Sequence, residues 1–253
     1  MMNMKKIVCA LLAVACVALV SAKPKEKKMI DEKLDPEFAA IAANMTETEA
    51  PGYAPLLDGR ARAIAVTATL LGTGGADAFE ARLPQILEQI SAEDVKEIIY
   101  QAAAYLGIPR VTPFLDRAND YFRANKITLP LESRSTTTAE TRFEAGVEKQ
   151  VELFGPQMRS VAHDSPVREM LADNCFGDYY TRTGFTNAER ELMTFCYLAA
   201  FGGVEAQLTA HAAANIACGN SKEFLLQTLY LCVPYNGYPR TLNAITCVEN
   251  AAK

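Results

Sequence analysis

The stretch TNAERELMTFCYLAAFGGVEAQLTAHAAANIACGNSKEFLLQTLYLCVPYNGYPRTLNA, Thr186 to Ala244, decides the fold. It opens on Thr186-Asn187-Ala188-Glu189. A hydroxyl residue followed three places later by a glutamate caps a helix from both sides of its first turn. The apolar run Leu192 to Phe201 comes next and breaks at Gly202-Gly203. Ala206 to Ala217 is alanine-rich, carries His211, and has Gly219 placed to cap its C-terminus. Ser221 starts a helix that ends near Tyr235, and Pro239 starts the last one. Downstream of the N-terminal segment, no run alternates apolar and polar residues with the period of a strand. The reading is all-α.

Upstream, the same signals recur. Arg60 to Leu71 is rich in Ala and Leu, and Ala76 to Ile90 is amphipathic with Pro84 inside it. Ser91 caps a helix with Asp94 at its third position; that helix stops at Gly107, and Pro109 restarts the chain as far as about Asn125. Shifted by 130 residues without gaps, Arg60 falls on Arg190, Gly72 on Gly202, Ser91 on Ser221, Tyr100 on Tyr230, Gly107 on Gly237 and Pro109 on Pro239. Glycines and prolines weigh most here, because they mark backbone geometry that other residues adopt only at a cost. The pattern implies a tandem duplication: a first, degenerate unit over 35–125, a polar linker over 126–144, and a second unit over 145–253. The copies differ where chemistry would sit, since His211 falls on Ala81, Gln207 on Asp77 and Asn243 on Pro113.

Composition narrows the function classes. Half of the residues are hydrophobic and 22% are charged, which suits a globular chain with a sizeable core. The formal net charge of −5, with no Lys/Arg block in the folded part, argues against nucleic acid and against an anionic membrane surface. Lys5 and Lys6 precede an apolar run from Ile7 to Val20, then Val20-Ser21-Ala22, which reads as an export signal cleaved after Ala22. The expected location is periplasmic, with no membrane contact after cleavage; a lipoprotein anchored at Cys16 is the competing reading. Residues 23–34 form a charged tether. Five cysteines remain, Cys175, Cys196, Cys218, Cys232 and Cys247, in largely apolar surroundings and with no Cys-x-x-Cys, so buried thiols are expected.

The second unit resembles the carboxymuconolactone decarboxylase family, in the superfamily that also holds the alkylhydroperoxidase D proteins. The residues that carry the resemblance are Phe176-Gly177-Asp178-Tyr179-Tyr180-Thr181-Arg182-Thr183-Gly184-Phe185, Arg190-Glu191-Leu192, Gln207 to His211, Asn215 to Gly219, and Tyr235-Asn236-Gly237-Tyr238-Pro239 through Asn243-Ala244. The resemblance covers about 145 to 250 well and about 35 to 120 more weakly. It implies a helical bundle that assembles as a homo-oligomer, for a two-unit chain a trimer resembling a hexamer, without a cofactor. This chain departs from both branches. Where the peroxidase branch has its cysteine pair stand Val204 and Gln207, and Gln207 also replaces the decarboxylase branch's glutamate.

His211 is the catalytic candidate, an imidazole able to move a proton near neutral pH. Gln207 and Asn215 lie one turn away on either side. Arg182 and Arg190 are candidates for holding a substrate carboxylate through a bidentate fork; the competing reading is an ion pair with Asp178, Glu189 or Glu191. Glu205 is the candidate replacement carboxylate, with a solvated helix start as its competing reading, and Tyr235 and Asn243 are candidates for the lining, although Tyr105 at the offset position favours a packing role for Tyr235. His163 lies in a polar stretch and reads as surface. No His/Cys cluster has metal-ligand spacing, so no metal is expected. Three functions follow. The first is acid/base chemistry, decarboxylation or lactone/enol isomerisation, on a small organic acid or lactone. The second is a peroxidase-like thiol activity outside the usual motif, with Cys218 nearest in sequence to His211. The third is a non-catalytic binding or assembly protein.

Overall fold

The computed structural model describes residues 29–253. The export signal expected over 1–22, with Cys9 and Cys16, and most of the tether lie outside the described residues. The described chain is all-helical. In order it forms α1 (Pro36–Ala43), α2 (Gly59–Thr73), α3 (Ala76–Leu87), α4 (Ala92–Leu106) and α5 (Ile108–Ala124). After a non-helical strap come α6 (Arg142–Phe154), a π-helix (Leu171–Tyr180), α7 (Asn187–Phe201), α8 (Glu205–Ala217), α9 (Lys222–Asn236) and α10 (Tyr238–Ala251). No helix among the described residues is long and apolar enough to cross a membrane.

Local chemistry sets these boundaries. Ser91 and Thr186 each form a complete capping box, with Asp94 and Glu189 reaching back to the cap. Asp58 and Ser221 cap α2 and α9 through the amides of Ala61 and Phe224. Gly107 and Gly237, at φ 83° and 75°, end α4 and α9 in a region that other residues enter only with strain.

Helix bounds coincide or fall within a few residues of one another at the 130-residue offset. Ala92–Leu106 maps onto Lys222–Asn236. Pro36, which starts α1, maps onto Pro166, which starts a short helix, and both helices widen into π-helical turns, Asn44–Glu49 and Leu171–Tyr180.

One hydrophobic core runs through both halves, from Ile64, Phe79, Ile98 and Phe114 to Phe195, Tyr197, Leu225 and Leu229. Its centre is the α2–α7 crossing. There a Cβ on Gly72 would lie 2.8 Å from the Tyr197 carbonyl oxygen, so only glycine permits the approach. A second close crossing joins α6 to the π-helix: side chains at Gly146 or Gly177 would run into the carbonyls of Ala172 and Arg142. This crossing presents Phe154 to His211 on α8 and Tyr180 to Glu191 and Thr194 on α7.

The strap between the halves is tied down. Arg134 pairs with Asp94 at 2.6 Å, and the Thr136 and Thr137 hydroxyls donate to the carbonyls of Thr181 and Gly177. The helix that follows begins at Arg142, inside the span expected to be linker.

Candidate functional site

His211 sits in the second turn of α8, its side chain 12% exposed. Its Nδ1 lies 2.7 Å from Oε2 of Glu191, a fully buried residue on α7. A carboxylate only accepts, so Nδ1 donates to it and Nε2, across the ring, keeps a lone pair. The imidazole is flanked edge-on by Tyr105, with ring centroids 5.6 Å apart, and by Phe154 at 5.8 Å.

Glu191 is where a buried set of donors converges. Tyr180 donates from its hydroxyl to Oε1 at 2.9 Å. Thr194 lies 2.7 Å from the Tyr180 oxygen, and Gln101 donates its amide to Thr194 at 3.1 Å. Tyr180 has spent its only proton on Glu191, so Thr194 donates to Tyr180. On the other side Tyr105 lies 3.0 Å from the Tyr180 oxygen, and Cys175 donates to Tyr105 at 3.5 Å. Every proton in this web is directed towards the Glu191 carboxylate. Burial pushes the Tyr105 and Tyr180 phenols well above their ordinary range, so they remain donors. Burial also pushes the Cys175 thiol up to about 12, with Glu191's charge adding and Tyr105's hydrogen bond only partly opposing.

Asn215 belongs to the site as a support. Its amide donates to the carbonyls of Glu191 at 2.9 Å and His211 at 2.7 Å, which locks α8 against α7. Gln207 does not belong. It lies on the exposed side of α8 while Asn215 is fully buried. Four residues advance a helix by about 40° beyond a full turn, so His211's two neighbours diverge by about 80°.

The arginines part company. Arg190 is 1% exposed. It donates to Gln101 Oε1 at 2.8 Å and to the Arg182 carbonyl at 2.5 Å, which makes it a brace between α4 and α7, out of reach of a solvent-borne carboxylate. Burial lowers its guanidinium from the usual range. Arg182 grips both oxygens of buried Glu97 through Nε, at 2.9 and 2.8 Å, and faces a different cavity, lined also by Lys96 and Tyr100. Neither arginine takes Asp178, Glu189 or Glu191 as its ion-pair partner.

Glu205 and Asn243 are exposed and line a small cavity with Arg240 at the start of α8. Tyr235 lies under Arg82, 5.8 Å from guanidinium carbon to ring centre, against the first half. The carboxylate expected at Glu205 is therefore supplied by Glu191, with Tyr180, Tyr105 and Thr194 behind it. Glu191 stands inside the Arg190-Glu191-Leu192 fragment, but its partner is 20 residues away, a separation with no local signature. His163 is exposed and packs against Phe143. All five described cysteines are free thiols, four of them buried and Cys218 half-buried. Among the described residues no cluster of three or more His, Cys, Asp or Glu side chains is placed to hold a metal ion.

A scan against known protein families matches no family model to this chain, and a search of curated proteins finds no match.

Proposed function

We propose that the chain is an exported, two-unit carboxymuconolactone decarboxylase-like protein whose second unit performs acid/base chemistry on a small organic acid or lactone. The observation that carries this reading is the 2.7 Å contact between His211 Nδ1 and the buried Glu191 carboxylate. The carboxylate fixes the tautomer and stabilises the imidazolium formed when Nε2 takes a proton. Nε2 accepts a proton from carbon next to a carbonyl, and the imidazolium returns it to the enolate oxygen or, where a double bond extends the enolate, to the far carbon, which completes an isomerisation. In a decarboxylation Nε2 first takes the carboxyl proton, the C–C bond breaks with its electron pair left on carbon as carbon dioxide leaves, and the imidazolium protonates the resulting carbanion. The near-coincident helix bounds at the 130-residue offset support the duplication, and a homotrimer follows from the resemblance.

The thiol-peroxidase reading has less support. Burial and the Glu191 charge raise the Cys218 thiol, and Cys232, lowered by its hydrogen bond from Cys196, is 2% exposed. A peroxidatic cysteine needs an accessible thiolate. A non-catalytic binding protein is the remaining alternative.

The test is turnover of a panel of small lactones and mono- and dicarboxylic acids, followed by ultraviolet absorbance and carbon dioxide release. His211→Gln is expected to lower the rate by on the order of 10²- to 10⁴-fold with the helical circular dichroism signal intact. Undiminished turnover in that variant sinks the assignment. A ligand at about 100 times its Kd stabilises the native protein by about 2.7 kcal/mol, so thermal shift ranks the panel first.

A further inference from the structure

A second cavity, of about 510 Å³, lies between α4, α5 and the loop that follows α5. Its volume falls within the range that takes a small molecule. From α4 it receives Lys96 and Tyr100, from α5 Asn119 and Arg123, and from the chain after the π-helix Arg182. Leu129, Pro130 and Leu131 supply an apolar wall.

The charges in it are incompletely matched. Lys96 Nζ donates to the neutral Asn119 side-chain oxygen at 2.5 Å, with no carboxylate partner among the described residues. Burial, and then the nearby Arg123 guanidinium, itself paired with Asp120 at 2.9 Å, lower its amine from the ordinary lysine range. Arg182 spends its Nε on Glu97 and lies over the Tyr100 ring at 5.4 Å, while its terminal nitrogens have no hydrogen-bond partner among the described residues. Glu93 and Glu132 also line the cavity, and their charges oppose a polyanion.

We infer that this cavity binds a small monocarboxylate with an aromatic or apolar body. The carboxylate sits between Lys96 and the free end of Arg182, and the body lies against Tyr100 and the Leu129–Leu131 wall. The site is separate from His211 and does not depend on the reading of that residue.

Isothermal titration of the full chain with benzoate tests it, with benzyl alcohol as the uncharged counterpart and inorganic phosphate as the anion without a body. The expected result is millimolar or tighter benzoate binding, little or no heat from benzyl alcohol or phosphate, and unchanged binding in His211→Gln. Lys96→Gln is expected to weaken benzoate about tenfold, the loss of one charge-assisted hydrogen bond. Arg123→Gln, on an exposed side chain, weakens it by a smaller factor with the fold intact. Absence of benzoate heat up to about 10 mM, above which affinity is too weak to count as recognition, overturns the proposal. So does equal affinity in Lys96→Gln and the native protein, or phosphate binding tighter than benzoate.

Discussion

At the 130-residue offset, Glu191 and His211 stand where the first half has Ala61 and Ala81, and Thr194 stands where it has Ile64. The frame around these positions is the same in both halves: a helix begun by proline, a π-helical turn, a capped helix, and a glycine-ended helix pair. What differs is the cover. Over the second half's His211 close Phe154 and, from the first half, Tyr105. In the first, Ala81 lines a cavity of about 290 Å³ beneath α1. A helical frame thus tolerates either a polar pair or two alanines on the same facing positions, provided that the neighbouring elements supply hydrogen-bond partners to the polar version.

The comparison is broken or sharpened first at Arg60 and Arg190, which share an offset position but not an environment. Arg190 is 1% exposed, whereas Arg60, paired with Asp94 and Glu189, is 35% exposed at its side chain. Arg190→Met is expected to cost about 3 kcal/mol in urea denaturation, because it strips partners from buried groups. Arg60→Met should cost about 1 kcal/mol. Equal losses would mean that the two arginines do the same work and that burial does not separate the halves.

Glu191→Gln probes the polar pair itself. It keeps the side chain's shape but turns an amide NH2 towards a buried donor, so stability should fall by about 1–3 kcal/mol with the fold intact, and it removes an acceptor from the pair that fixes His211. Turnover on any substrate found for the protein is expected to fall by about 10²-fold, with KM little changed. Native activity in this variant would reduce the Glu191–His211 contact to packing.

A smaller effect is expected from acid. Burial works to raise the Asp94 carboxyl, but hydrogen bonds from Arg134 and Arg60 outweigh it and hold the group below its ordinary value of 3.8. A depressed carboxylate stabilises the fold above its unfolded pKa, and that contribution is lost as pH falls through the folded value. Thermal unfolding followed from neutral pH down through 3.8 and below should show this loss in the native protein. The acid slope should be shallower in Asp94→Asn; an unchanged slope would remove Asp94 from the acid response.

The smallest signal is in thiol labelling. At mildly alkaline pH Cys218 is expected to react first and the four buried thiols only on unfolding. Early labelling of Cys175, whose thiol is pushed up to about 12, would show that the web around Tyr105 opens readily.

How much of this was legible in the sequence depends on range. Capping boxes at Ser91 and Thr186 and the stops at Gly107 and Gly237 are local, and the structure has each of them. The neighbourhood of His211 was legible only to one turn: the spacing places Gln207 and Asn215 alike, whereas the drift of the helix exposes one and buries the other. Glu191 looked like a partner for arginine because Arg182 and Arg190 are its neighbours in sequence, but Glu97 on α4 takes Arg182 instead. The π-helix left no trace in the residue pattern, since its ten residues read equally well as a tight helix.

Tyr105 and Gln101 come from α4, in the first half, yet one closes over His211 and the other feeds the donors that end at Glu191. The site of the second half is therefore finished by the half that lacks one. A fragment cut at the strap and carrying only 142–253 would expose the Tyr180 and Thr194 hydroxyls to water and leave His211 without one of its flanking rings. The two halves therefore stand or fall together: the one with alanine at the histidine's offset position forms part of the wall around the other's imidazole.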